Sequence, residues 1–436
     1  MPSAELFSSI RQPAGGMECS GLACQEGTIL TPKMELLAPA GNREKAEVAI
    51  AYGADAIYAG GEAFSLRAGA DNFSLSEMAD LVDYAHRVGV RVYVAVNSLL
   101  HNEALPGLAE YLIALEEMAV DAVIFSDPAV YVISKKVAPK LALHISTQTS
   151  LTNWQAIRFW QEMGISRVIL ARELSLEEIA AIRRQVTVEL EAFVHGAMCV
   201  SYSGRCLLSN FMVGRGANQG DCAQACRWRY ALMEEKRPGQ YYPILEDEYG
   251  SYILNSKDLN MLAHLPELAA AGVNSLKIEG RMKSVHYVAT VVKSYRQALD
   301  AYHADPDGYQ VRPEWLEELD KASHRPYTTG FYFGPPGPEG QSYPSGGYIR
   351  TYDFVGMVRE VTGKGSRIDV RNRIREGERL ELVTPQGSPV SFVIERMWEE
   401  TGNFLGEAHP NQEVFMELPV EAPVFSLLRR RATETG

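Results

Sequence analysis

Four of the six cysteines, Cys199, Cys206, Cys222 and Cys226, fall within 28 residues, in "HGAMCVSYSGRC" and the "CAQAC" that follows it. Thiolates gathered in this way can hold a metal, form a disulfide or attack a carbonyl. Their pattern is C-x6-C-x15-C-x3-C. Structural zinc favours ligands about two to four residues apart, because a tight knuckle aims both thiolates at one ion. Cys222 and Cys226 satisfy that spacing; Cys199 and Cys206 do not. An iron–sulfur cube is larger than one ion and tolerates longer loops between its thiolates. Soft thiolate ligands suit either metal. On spacing, a cluster, a zinc ion and redox-active or unligated thiols all stay open. Cys19 and Cys24 sit in a polar N-terminal stretch and read as bystanders.

The totals narrow these choices. At 436 residues the chain is long enough for more than one domain. Its 46% apolar and 22% charged residues are those of a folded globular protein. No apolar run reaches the roughly 18–20 residues of a membrane span. The first 33 residues lack the apolar core of a secretory signal. A cytoplasmic location is therefore expected, where cysteines serve metal or redox chemistry more than structural disulfides. The start stays open among Met1, Met17 and Met34. A net charge of −13 argues against a protein coated in nucleic acid. Residues 199–230 run against that balance, with Arg205, Arg215, Arg227 and Arg229 opposed only by Asp221. Such an island can meet phosphates or pair with carboxylates elsewhere.

Residues 1–33 read as a flexible tail. From residue 34 a grammar repeats: a short apolar run, a polar or Gly-rich turn, then an amphipathic helix. The strand candidates are "MELLAPAG", "DAIYAGG", "VRVYVAVN", "DAVIFSD", "LALHISTQ", "SRVILARE", "LEAFVHG", "YILNS" and "SLKIEGR". Alternation of strands and helices implies parallel strands covered by helices. The G-x-G-x-x-G of a dinucleotide-binding open sheet is missing after the first strand. The expected α/β fold is a TIM-like (β/α)8 barrel over residues 34–322, with a cysteine-bearing insertion near 197–250 to which "YILNS" belongs. Helix 284–303 should complete the barrel. A Gly-, Pro- and Tyr-rich linker arm spans 323–352, and residues 353–436 read as a small C-terminal all-β barrel or sandwich.

Barrel enzymes keep their chemistry at the C-terminal ends of the strands. The polar residues placed there are Asn97, Asp127, Gln148, Arg172, His195, Lys277, Glu279 and Arg281. Any one of them could be a cap or a loop salt bridge; their joint position is what suggests a site. His195 and Glu279 suit proton transfer. Proteolysis needs an activated nucleophile. His195 lies near Cys199, Ser201, Ser203 and Ser209, but no H-E-x-x-H motif occurs anywhere.

"EAFVHGAMCVSYSGRCLLS" (191–209), with Glu191, Phe193, Gly196, Cys199, Gly204, Cys206 and Ser209 in place, resembles the signature of the collagenase-like peptidase family of unassigned mechanism. "LLAPAGN", "YAGGEAFSLRAGADNF", "NSKDL", "KIEGRMKS" and "SHRPYTTGFYFG" are similar to further family segments, so the resemblance covers roughly 34–334. The β-rich tail resembles the family's C-terminal domain. The resemblance implies either a protease, the older label, or an oxygen-independent hydroxylase. Family hydroxylases act on wobble uridine in tRNA, on a cytidine of ribosomal RNA or on the ubiquinone ring. The β-rich tail points to the tRNA branch. By the same resemblance, Cys199, Cys206, Cys222 and Cys226 become ligands of a [4Fe-4S] cluster, and a bound thiolate is not free to attack a peptide. Prephenate becomes the expected co-substrate, the tRNA anticodon loop the expected partner, and a second subunit of the same family a further one.

Under that reading a dicarboxylate such as prephenate would meet Arg67, Arg172, Gln148 and Asn97, with Lys277 and Arg281 beside them. Tyr327, Phe331, Tyr332 and Tyr348 of the arm could stack on an unpaired base or simply anchor the arm.

Overall fold

The structure, a computed structural model, describes residues 33–66, 71–198, 257–336, 348–363 and 365–432, with residues 209, 213, 215, 223, 246–247 and 250–251. Cys19, Cys24, Arg67, the four grouped cysteines and "YILNS" lie outside the described residues.

Eight parallel strands form the barrel: β1 (Glu35–Pro39), β2 (Ala56–Gly60), β3 (Arg91–Val96), β4 (Ala122–Phe125), β5 (Leu143–Ile145), β6 (Arg167–Ile169), β7 (Glu189–Ala197) and β8 (Ser275–Ile278). Each pairs with its successor. β8 pairs with both β7 and β1, setting Lys277 beside Phe193 on one side and Leu37 on the other, and this closes the sheet. The strands are buried along almost their whole length because the lumen covers one face and helices the other.

Helices α1 (Arg43–Ala51), α2 (Leu75–Arg87), α3 (Leu105–Glu117), α4 (Pro128–Val137), α5 (Trp154–Glu162), α6 (Leu176–Arg183), α7 (Leu265–Ala270), α8 (Val285–Ala304) and α9 (Pro313–Leu319) follow in order. Local chemistry starts several of them. Ser74 with Glu77, and Ser175 with Glu178, form reciprocal capping boxes at α2 and α6. Asn42 and Asn153 cap α1 and α5. Pro128 opens α4 behind the Asp127 cap, where a missing N–H costs nothing.

β7 outruns the barrel. Its last residues pair antiparallel with a short strand, Asp258–Asn260, which pairs in turn with Tyr327–Thr328. Part of the Gly-, Pro- and Tyr-rich arm is thus a strand of the barrel's own sheet.

The C-terminal region forms one eight-stranded antiparallel sheet. Its longest strand, Tyr352–Thr362, lies between Leu427–Arg431 and Gly365–Val370. It has its own core, including Val355, Val358, Ile368, Leu380, Val414 and Leu428. The sheet is fastened to the barrel's helices. Tyr52 donates to the Val383 carbonyl at 2.8 Å. Arg429, fully buried, bridges Glu318 of α9 and Glu381, each at 2.8 Å. Arg359 and Arg371 both reach Glu44 of α1. α8 is buried on nearly every side because the barrel lies on one face and the C-terminal sheet on the other. Its Lys293 donates to the Thr384 carbonyl at 2.6 Å, and its His286 ring stacks parallel to Phe354. Among the described residues no helix is long and apolar enough to cross a membrane.

Candidate functional site at the barrel mouth

Parallel barrels usually fill their lumen with branched apolar side chains. This lumen holds charge. Arg167 of β6 reaches Glu35 of β1 at 2.5 Å, Glu189 at 2.7 Å and Glu191 of β7 at 3.2 Å. Tyr93 of β3 and Ser275 of β8 each donate to Glu35 at 2.8 Å. Side chains from such distant strands can meet only across the lumen. Lys277 of β8 donates to Glu191 at 2.8 Å. His144 of β5 packs edge-on against Tyr93, 4.8 Å between ring centres. Glu35, His144, Arg167, Glu191 and Lys277 are all buried.

The charges balance: Glu35 and Glu191 against Arg167 and Lys277. Burial alone would pull the Arg167 guanidinium down, but Glu191 and Glu35 outweigh it and hold the group charged above its ordinary range. Burial likewise pushes the Glu35 carboxyl up, and Arg167 with Arg91 carries it below its usual range. Burial lowers the Lys277 ammonium, Glu191 opposes this, and Arg167 and Arg172 reinforce it, leaving Lys277 below its usual range.

Above this network the mouth begins. Lys277 Nζ lies 4.3 Å from the centre of the Tyr58 ring and 5.5 Å from that of Phe193. The Arg172 guanidinium lies 3.9 Å from the same Phe193 ring. Its Nη1 donates to the Ala197 carbonyl at 3.0 Å, and its Nε is buried with no partner among the described residues. Lys277 and Arg172 are thus gathered around one aromatic side chain.

The other residues placed at strand ends do different work. Arg281 is buried and donates to Ser65 Oγ and the Leu66 carbonyl, both at 3.0 Å, and to Asn72 Oδ1 at 2.8 Å. Asn97 accepts the Leu66 N–H at 3.1 Å. The two side chains therefore grip both backbone groups of Leu66, the residue before Arg67. Asp127 accepts from Ala129 and Leu100 N–H groups, tying α4 to the loop after β3. Gln148 lies in a short turn and accepts from Ser146 at 3.1 Å. Glu279 is half-buried; its N–H donates to the His195 carbonyl, and its own carbonyl accepts from Tyr287. Gly196 faces this turn at a φ of +104°, and a Cβ there would meet the Glu279 carbonyl oxygen at 2.7 Å.

His195 is not an open base. It is 1% exposed, with its ring among Tyr287, Tyr295 and Tyr327. Burial, with smaller contributions from Lys283 and His324, lowers it to about 3, so it stays neutral near neutrality. Of the arm's aromatics, Tyr332 is buried and donates to the Phe193 carbonyl at 2.5 Å, and Tyr327 donates to the Leu319 carbonyl at 3.1 Å. Both anchor the arm. Tyr348 is 42% exposed, with Lys283 Nζ 3.9 Å from its ring centre.

Glu191, Arg167 and Glu35 were not anticipated, although a signal exists: Glu35 and Arg167 are each the one charge of a short apolar strand, and Glu191 follows Glu189 at the start of the apolar run of β7. A charge buried there needs an opposite charge across the lumen.

Near the cysteines, the Ala223 N–H donates to the buried Ser209 Oγ at 2.9 Å. This contact joins the chain next to Cys222 to the chain three residues beyond Cys206. Cys199 follows Met198 directly, past the mouth-side end of β7.

A family model described as Peptidase family U32 matches residues 41–342, and that family's C-terminal domain matches residues 350–429. The chain belongs to peptidase family U32. Within U32, tRNA hydroxylation protein P1 of Bacillus subtilis (strain 168) is 43% identical, over 92% of this chain and 96% of that protein. tRNA hydroxylation protein P of Escherichia coli (strain K12) is 40% identical, over 87% of this chain and 91% of that protein. The 23S rRNA 5-hydroxycytidine C2501 synthase of Escherichia coli (strain K12) is 39% identical, over 63% of this chain and 40% of that protein.

Proposed function

We propose that this U32 protein is a cytoplasmic tRNA hydroxylase that converts wobble uridine to 5-hydroxyuridine. One observation carries the reading. Similarity to two proteins named for tRNA hydroxylation runs through nearly the whole of both chains, whereas similarity to the rRNA synthase covers 63% of this chain. An anticodon-loop base is already partly unstacked, so bringing it to a barrel mouth costs little pairing energy.

Replacing C5–H by C5–OH is a two-electron oxidation. Without O2, the oxygen comes from water or a co-substrate hydroxyl and the two electrons must pass to an acceptor; we assign prephenate as the co-substrate. Its two carboxylates suit the cations at the mouth, Arg172 and Lys277, and Arg67, the next residue in sequence after Leu66, is a third candidate. Cys199, Cys206, Cys222 and Cys226 would hold a [4Fe-4S] cluster. Four thiolates are a fitting donor set for such a cluster. When bound, such a cluster supplies one-electron transfer or a Lewis-acidic iron. The basic island around Arg215 would meet the phosphates of the loop.

Two results test this. Nucleoside mass spectrometry of tRNA from a deletion strain should show loss of 5-hydroxyuridine-derived nucleosides and their return with the wild-type gene; an unchanged profile rejects the tRNA assignment. Protein purified anaerobically should carry about four irons and absorb broadly near roughly 400 nm. Cys206→Ala should lose both the iron and the modified nucleosides. Colourless, zinc-loaded protein would reject the cluster.

A further inference from the structure

The lumen network has a rigid part and a part that can change. Arg167 is the rigid part, because three carboxylates surround it and a guanidinium does not give up its proton. It cannot pass a proton along the barrel axis. What it does is anchor Glu191, lying 3.2 Å from Oε2, while Lys277 takes Oε1 at 2.8 Å. One carboxylate oxygen is held by the network and the other is left to Lys277. Among the described residues, the remaining neighbours of the ammonium offer no compensating charge. Tyr58 from β2 and Phe193 from β7 present rings. Arg172 and the neutral His144 add either like charge or none. Ionic pairs this deep seldom outperform apolar packing, so a network of this kind needs a use other than stability.

We propose that Glu191 is a positioning residue: anchored by Arg167, it keeps Lys277 in place and charged beneath the mouth, where the ammonium meets an anionic oxygen of the bound substrate. Only the identity of that substrate rests on the tRNA-hydroxylase reading.

Glu191→Gln, Lys277→Met and the double variant, made in the full chain, test the coupling without reference to activity. Removing the carboxylate charge leaves the ammonium unsupported, so Glu191→Gln melts well below wild type near neutrality. Between about pH 7 and pH 10 the native variant binds fewer protons than native wild type, so its stability rises faster with pH and its deficit narrows. With Lys277→Met already present, Glu191→Gln costs far less, and that cost does not vary with pH. If Glu191→Gln alone does not fold, recovery of folded protein on adding Lys277→Met gives the same answer. Additive, pH-independent losses, or a double variant no better than Glu191→Gln, overturn the proposal.

The second readout is the modified nucleoside in the complemented deletion strain. Glu191→Gln should lower that level severalfold, because the ammonium loses both its anchor and its counter-charge. Lys277→Met should leave almost none, and the double variant should match it. Wild type that restores no modified nucleoside defeats the tRNA reading, while the melting cycle still decides the role of Glu191.

Discussion

Arg167→Met is expected to be among the most damaging single substitutions in the barrel. The side chain is 3% exposed and is held by Glu35, Glu189 and Glu191. Methionine fills similar volume, so the loss is of charge more than of packing. It leaves two buried carboxylates, Glu35 and Glu191, with only Arg91 at the rim and Lys277 above to balance them. Removing one partner of a buried ion pair typically costs about 3–5 kcal/mol. That is a large part of the roughly 5–15 kcal/mol that holds a domain folded. The expected result is a melting temperature lower by roughly 10 °C or more. Glu35→Gln added to Arg167→Met should recover much of it, since Glu191 then keeps Lys277 as its partner and Glu35 no longer brings an uncompensated charge. A melting temperature within about 2 °C of wild type would show that water or relaxation screens the network.

The contrast between what the sequence reveals and what it hides follows from where the signals act. Barrel strands are short apolar runs with both faces covered, so "VRVYVAVN" and "DAVIFSD" announce β3 and β4 directly. Helix starts are local chemistry, and "SLSE" before α2 is a complete capping box. Residue roles are not local. Arg281 ends a strand segment as a mouth residue would, yet the β2–α2 loop folds back onto its guanidinium. Asn97 grips the same loop from the opposite side. His195 sits in the cysteine signature, but α8 and the arm bring three tyrosines around it, and those contacts join residues about a hundred positions apart. The lumen charges are hidden for the same reason. Glu35 and Arg167 stand 132 positions apart, and only barrel closure brings them together.

One consequence concerns Arg67. Leu66 is held at both its N–H and its carbonyl, by Asn97 and Arg281. Asn97 and Arg281 therefore fix the described end of this loop, at the residue before Arg67 in the sequence.

Acid should destabilise the protein well before its carboxylates titrate. His195, His286 and His144 are buried, and each has a ring nitrogen with no partner among the described residues. Burial, helped by neighbouring cations, lowers His195 and His286 to about 3 and His144 well below its ordinary value. In the unfolded chain each titrates near 6.5. Below that pH the unfolded state takes up protons that the native state refuses, so stability falls as pH falls, and above it no such loss occurs. Each histidine costs about 1.4 kcal/mol per pH unit across this window, so His195 and His286 together cost about 4 kcal/mol at pH 5. Glu35 and Glu381, held below their usual range, add their losses only at lower pH, as they are protonated in the native state. Thermal melts from about pH 7.5 down to 5 should therefore fall steeply. His286→Phe should remove one proton's share of that slope, because the ring stacks on Phe354 and its Nε2 forfeits no hydrogen bond. A melting temperature flat across this range, or a slope unchanged in His286→Phe, would mean that the buried imidazoles find protons or water that their packing denies them.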